Sequence, residues 1–244
     1  MGLELYLDLL SQPCRAVYLF AKKTGIPFQL HTVNLFKGQH LTEEFSQVNS
    51  LQKVPVLKDG DFFLSESSAI LIYLSCRCQV GDHWYPPDLQ SHARIHEYLG
   101  WHADNIRGTF GVTLWARIIA PLMGLQIPEE EVERNKTGMS QALQQLEDKF
   151  LRDKAFLMGQ EMTLADLMSL EELMQPVIFG YDVFEGRPRL AAWRERVEAF
   201  LGAELWQETH APALNFLDQW TKNTLLMLRP ESYPSFLLRI ARIP

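Results

Sequence analysis

Lys53-Val54-Pro55-Val56-Leu57-Lys58-Asp59-Gly60-Asp61-Phe62-Phe63-Leu64-Ser65-Glu66-Ser67-Ser68-Ala69-Ile70 reads as a strand, a tight turn, a second strand and the start of a helix. Asp59-Gly60 is assigned the turn, because an Asp-Gly pair tolerates the positive φ of two-residue hairpin loops. Val54-Pro55 is expected to open the first strand. Proline's missing N–H does no harm there, and X-Pro is the peptide that adopts the cis form at low cost. A cis Val54-Pro55 bond would turn the backbone N–H and C=O of Val54 outward, ready to pair with a peptide-like ligand. Ser65-Glu66-Ser67-Ser68 then precedes the apolar run Ala69-Ile-Leu-Ile-Tyr-Leu74. Glu66 and Ser67 therefore fall at a helix N-terminus, where free N–H groups and the positive dipole end favour an anion. A hairpin followed by an ordinarily capped helix is the plainer reading of the same residues.

Upstream, Leu3-Glu-Leu-Tyr-Leu-Asp8 alternates as a strand does. Ser11-Gln12-Pro13-Cys14 leads into a helix from Arg15 to Lys23, with Pro13 near the first turn, where a missing N–H is harmless. Gly25 ends it, and Phe28 to Leu35 reads as a second strand, parallel to the first. Gln39 to Asn49 is polar and irregular, with one helical turn. Residues 1–80 thus give β-α-β, α, β-β-α, a thioredoxin-like α/β domain with a four-stranded mixed sheet. Residues 81–88, rich in turn formers, are a linker. From 89 to 244 no strand pattern appears. Apolar residues recur at three and four, as in Ile95, Tyr98, Leu99, His102 and Ile106, which makes this part all-helical. Thr163-Leu-Ala-Asp166 is a capping box with a structural role.

At 244 residues, 47% hydrophobic and 22% charged, the chain supports a full core. A net charge of −7 with scattered Lys and Arg argues against nucleic acid, which needs a clustered basic face. No N-terminal targeting pattern is evident, and no apolar stretch approaches the roughly eighteen residues of a membrane span. Cys14, Cys76 and Cys78 fit a reducing compartment better than a disulfide framework. The expectation is a soluble cytoplasmic protein, compatible with nuclear presence, without a metal site.

The order of proline strand, hairpin and Ser-Glu-Ser helix start resembles the cytosolic glutathione transferases. In that family the residue before the proline, here Val54, pairs with the cysteinyl backbone of glutathione, and the Glu-Ser pair, here Glu66 and Ser67, holds the γ-glutamyl carboxylate. Gly2-Leu-Glu-Leu-Tyr-Leu-Asp-Leu-Leu-Ser-Gln-Pro13 is similar to the theta class in particular. Trp84-Tyr85-Pro86, His96 to Asp104, Arg107-Gly-Thr-Phe110 and Leu238 to Pro244 resemble its second subfamily. The resemblance covers nearly the whole chain and implies a detoxifying homodimer with glutathione as co-substrate and no further cofactor.

The chemistry requires a thiolate near neutral pH from a thiol whose free pKa is about 8.5. Ser11 stands four residues before Arg15, where the serine classes place their donor to the glutathione sulfur. Tyr6 is a phenol near the strand end, but the tyrosine classes would need it at position 9, which is Leu. A plain helix cap is the other role open to Ser11. Ser11-Gln-Pro-Cys14 also occupies the slot of a thioredoxin Cys-x-x-Cys, and serine at its first position excludes dithiol turnover. By matched position, His40 would meet the glycine carboxylate, although it also reads as a solvated loop histidine. Lys53 would add positive charge, and Asp104 would reach the γ-glutamyl ammonium across a dimer. Residue 41 is Leu where some members carry a second cation. Arg107, Trp115 and Arg239 are assigned to the electrophile cleft, the arginines as a pocket for an anionic leaving group such as sulfate. Pairing of each with a nearby carboxylate, Arg107 with Asp104 for instance, is the alternative.

The reaction expected is conjugation of glutathione to hydrophobic electrophiles, aralkyl halides or sulfates, with organic hydroperoxide reduction compatible. The competing function is a non-catalytic transferase-like binding or assembly module. Such modules need no sulfur-activating residue and often lose the Glu-Ser pair. A glutathione-dependent reductase would prefer cysteine at position 11.

Overall fold

The computed structural model describes residues 2–111, 120–122 and 126–222. They form two compact units, the first from residues 2–85 and 198–222, the second from the described residues between 86 and 197.

The first unit is built on β1 (Leu3–Leu7), α1 (Gln12–Lys23), β2 (Phe28–Thr32), α2 (Glu43–Val48), β3 (Val56–Asp59), β4 (Phe62–Ser65) and α3 (Ser67–Arg77). The sheet order is β2-β1-β3-β4, with β1 and β2 parallel and the other pairs antiparallel. This is the expected thioredoxin-like mixed sheet. Strand alternation divides β1 between two layers. Leu5 and Leu7 are buried with Leu57 of β3 and with Val17, Phe20, Ile70, Leu71 and Leu74, the apolar stripes of α1 and α3. Tyr6, on the other face, packs with Val33, Phe45, Val48, Val54 and Val56 beneath α2.

Two boundaries differ from expectation. The hairpin loop is Gly60-Asp61, since Asp59 is still paired with Phe62 and Gly60 carries φ +62°. Asp59 is kept in the strand by its carboxylate, which accepts from the Tyr73 hydroxyl (2.9 Å) and meets Arg77 (3.3 Å) on α3. Strand β2 stops at Thr32 rather than Leu35. The Leu35 N–H is taken by a side chain, Asp8 Oδ2 at 2.9 Å, so no ladder continues.

The second unit holds α4 (Leu89–His102), continued by a wider turn through Ala103–Arg107 to Phe110, then α5 (Glu129–Gln145), α6 (Leu164–Ile178) and α7 (Pro188–Leu201), whose last turn belongs to the first unit. Helix α6 is the centre. It is apolar nearly all round, as a helix surrounded by others must be, and buries Leu164, Leu167, Leu170 and Leu173 completely. Its start is the expected capping box: Asp166 Oδ2 accepts from the N–H (2.9 Å) and hydroxyl (3.0 Å) of Thr163. Oδ1 accepts from the Leu157 N–H (2.7 Å) and Trp193 Nε1 (2.8 Å), tying α7 to the same carboxylate. Burial raises the Asp166 pKa, against the pull of these donors.

The last described helix, α8 (Ala203–Thr221), lies in the part assigned by sequence to the helical domain, yet it groups with the first unit. The Tyr18 hydroxyl of α1 donates to Glu208, Lys22 pairs with the same carboxylate at 3.5 Å, and Phe36 packs on Phe216 with ring centroids 4.4 Å apart.

Candidate active site

Register brings the chemistry-bearing segments of the first unit to one end of the sheet. Tyr6 pairs with Val56 and Val56 with Ser65, while Leu7 pairs with Thr32. From that row β1 leaves toward Ser11 and β2 toward His40. Strand β3 arrives there from Val54-Pro55, and β4 departs into Glu66-Ser67. Four segments remote in sequence therefore share one rim.

Ser11 is the N-cap of α1, with φ −86° and ψ 125°. Its main chain does the usual work of the position, the carbonyl accepting from the Arg15 N–H at 3.0 Å. Its side chain makes no capping hydrogen bond. A serine hydroxyl left out of its own cap, beside the positive end of a helix, is placed to donate to an anion. Tyr6, the other donor considered, is turned away. Its hydroxyl meets Glu4 at 3.3 Å and its ring stacks on His31 at 4.6 Å.

Glu66 caps α3 in an uncommon backbone state, φ +70° and ψ 115°, again without a side-chain cap bond. A non-glycine residue held there costs about 1–3 kcal/mol, and such strain gathers at ligand sites. Ser67 next to it is buried. The Val54-Pro55 bond is cis, as expected, but the strand begins at Val56, so Val54 lies outside the ladder. The segment before it is pinned by Asn49, whose Nδ2 donates to the Lys53 carbonyl (2.8 Å) and whose Oδ1 accepts from the Leu51 N–H (3.0 Å). Lys53 itself is exposed.

His40 sits in a short turn, Gln39–Leu41, opened by Gly38 at φ +68°. It is 7% exposed, so it is a packed residue and not a solvated loop histidine. Gln52 Nε2 donates to the Leu41 carbonyl at 3.1 Å, joining the His40 turn to the loop before Val54.

In the second unit Asp104 is exposed on the wide turn after α4. Arg107 forms its ion pair with Glu172 of α6 rather than with Asp104. The Glu172 side chain is 2% exposed and that of Arg107 47%. Sequence reading missed this partner. The available signal was a Glu171-Glu172 doublet inside an otherwise apolar helix, where a buried acid demands a cation. Beside it His102 is buried, and loss of solvation lowers its pKa to about 4. Trp115 and Arg239 lie outside the described residues. Among the described residues no helix is long and apolar enough to cross a membrane.

Comparison with known proteins identifies the family of the chain. A family model described as "Glutathione S-transferase, N-terminal domain" matches residues 3–75, and "Glutathione S-transferase, C-terminal domain" matches residues 109–200. Glutathione S-transferase theta-2 of Rattus norvegicus is 70% identical over 244 residues, the whole of both chains. The crystal structure of human glutathione transferase theta-2, complexed with glutathione and an unknown ligand, is 69% identical, covers 100% of both chains and superposes with a TM-score of 0.95. A human theta-class structure with the glutathione conjugate of 1-menaphthyl sulfate gives the same identity, coverage and TM-score.

Proposed function

This chain belongs to the theta class of the glutathione S-transferases and conjugates glutathione, and on that footing we propose that the Ser11 hydroxyl is the group that activates the thiol. The observation that carries the reading is a helix-capping serine whose hydroxyl does not cap. Donated to the glutathione sulfur, with the α1 dipole behind it, that hydrogen bond favours thiolate over thiol and lowers a pKa that is about 8.5 in solution. Serine is too weakly acidic to attack the electrophile itself, so the thiolate is the nucleophile.

The rest of the rim holds the tripeptide. Val54 offers the backbone N–H and C=O that pair with the cysteinyl unit. Glu66 and Ser67, at the α3 N-terminus, take the γ-glutamyl end, and Asp104 of a second subunit reaches its ammonium. His40 meets the glycine carboxylate, and Lys53 adds positive charge for an anionic tripeptide. A homodimer is the working form, cytoplasmic and serving detoxification. Support for the dimer comes from Leu51, Phe62 and Phe63, apolar residues exposed at the edge strand β4 and the loop near it; an uncovered apolar edge invites pairing.

The electrophiles are hydrophobic aralkyl halides or sulfates. The sulfate reading draws on the ligand of the human relative and on Arg107, which with Trp115 and Arg239 would receive the leaving anion. Arg107 keeps Glu172 as a fixed counter-ion while half of its side chain stays exposed. Organic hydroperoxides are a second substrate class. The thiolate attacks the peroxide oxygen and releases alcohol, and a second glutathione closes the disulfide with loss of water.

The test is a turnover panel of aryl halide, aralkyl sulfate and hydroperoxide with wild type and Ser11→Ala. Removing one preorganised donor lowers turnover about a hundredfold or more, so Ser11→Ala is expected to bind glutathione and lose conjugation. Full activity in that variant would transfer the role to another donor.

A further inference from the structure

The β1–α1 turn that carries Ser11 is braced by a carboxylate with no assigned part in the reaction. Asp8 is 8% exposed and splits its two oxygens between two loops. Oδ1 accepts from the N–H of Leu10, the residue before Ser11, at 2.9 Å. Oδ2 accepts from the N–H of Leu35, at the start of the segment that leads to His40, also at 2.9 Å. The Asp8 carbonyl accepts from the Ser11 N–H at 2.9 Å. From the other side Arg15, fully buried, donates Nη1 to the carbonyls of Leu9 (3.1 Å) and Leu10 (3.2 Å). Charged side chains thus hold the Leu10 N–H and the Leu9 and Leu10 carbonyls of the turn.

A buried carboxylate is costly, and burial raises the Asp8 pKa, with the Leu35 and Leu10 N–H groups and then Arg15 acting against it. A surface turn of this length closes in many proteins without such a group. What Asp8 adds is a fixed spacing between two backbone amides on two different loops. We propose that Asp8 is a positioning residue for catalysis: it fixes the Ser11 turn against the 33–40 loop, so that the serine hydroxyl points at the glutathione sulfur while His40 stays in place at the far end of the same ligand. Asp8 does not touch the reacting atoms. Its effect passes through Ser11, and the inference rests on the proposal that Ser11 activates the thiol.

Geometry of this kind matters because a donor displaced by about 1 Å loses much of its effect, up to a hundredfold in rate. Asp8→Asn keeps the volume and one acceptor oxygen but sets an NH₂ group against one of the two amides; Asp8→Ala removes both acceptors. The pKa of glutathione in the binary complex, read from thiolate ultraviolet absorbance against pH, is the readout that mere loss of stability would not move. In Asp8→Asn it is expected to rise by about one unit, with turnover at neutral pH down about tenfold. The deficit should shrink as pH passes the free thiol value, because solvent then supplies the thiolate.

The double variant Asp8→Asn with Ser11→Ala separates the two claims. If Asp8 acts through Ser11, the double variant is no worse than Ser11→Ala alone, the non-additivity of groups that work as a unit. Ser11→Ala that leaves the bound thiol pKa unmoved would overturn the Ser11 reading. Ser11→Ala that moves it, with Asp8→Asn silent or equally impaired at every pH, would overturn this inference and leave Asp8 as a brace of the fold. Should Asp8→Ala fail to fold, Asp8→Asn decides alone.

Discussion

A serine that starts a helix ordinarily satisfies a first-turn N–H with its own hydroxyl, a contribution of about 1 kcal/mol. Ser11 forgoes it, and Glu66 forgoes the relaxed backbone a cap residue usually has. Both are local stability losses at positions where a ligand group is expected, which distinguishes them from the Thr163 cap, where side chain and backbone are reciprocally satisfied. Glu66→Gly is expected to stabilise the fold by about 1 kcal/mol of relieved φ strain, seen as a higher melting temperature, while weakening glutathione binding. Thermal unfolding and a glutathione titration on one preparation check the two halves. Glu66→Ala with Ser67→Ala should raise the glutathione KM roughly tenfold or more, the worth of charge-assisted hydrogen bonds, and leave kcat nearly intact. An unchanged KM would remove both residues from the binding site.

Among elements, α4 carries a group through which the second unit responds to acid. His102, on α4, is held neutral down to about pH 4 by burial. The unfolded chain takes up that proton near pH 6.5, so unfolding binds a proton throughout the interval. The contribution is fully present above 6.5 and is lost as pH falls toward 4, about 2 kcal/mol of it already gone at pH 5. His102→Gln should flatten the stability profile between pH 7 and 5 in denaturant titrations; a profile as steep as wild type would place the acid sensitivity elsewhere. Element order and type were readable from sequence because their signals are local: β1 alternation, the Asp-Gly pair, the cis-proline dipeptide, the Thr163–Asp166 box. Boundaries and partners were not, because side chains distant in sequence set them. Asp8 ends β2 by capturing the Leu35 N–H, Tyr73 and Arg77 hold Asp59 in its strand, and Glu172 claims Arg107 from 65 residues away. Two of the four rim segments, Val54-Pro55 and Glu66-Ser67, were legible from residue order, while Ser11 and His40 rested on the family resemblance. The brace at Asp8 carried no pattern, since a single acid after a strand looks like a surface charge.

For the whole molecule, the Arg107–Glu172 pair couples the proposed anion pocket to stability of the helical unit. Arg107→Ala leaves a buried carboxylate without its partner, a loss of about 2 kcal/mol, so its activity alone is ambiguous. Arg107→Leu combined with Glu172→Gln removes both charges and should recover stability. Turnover of an aralkyl sulfate should stay depressed in that variant while a neutral hydroperoxide is spared; equal losses on both would end the anion-pocket reading. The turnover effects presuppose that the rim of the first unit makes a thiolate. The pKa of glutathione bound to wild type and to Ser11→Ala, followed by thiolate absorbance across pH, measures that directly. A bound thiol well below about 8.5 in wild type, returning toward that value in Ser11→Ala with glutathione affinity retained, is the predicted result. The same depressed pKa in both proteins would contradict it.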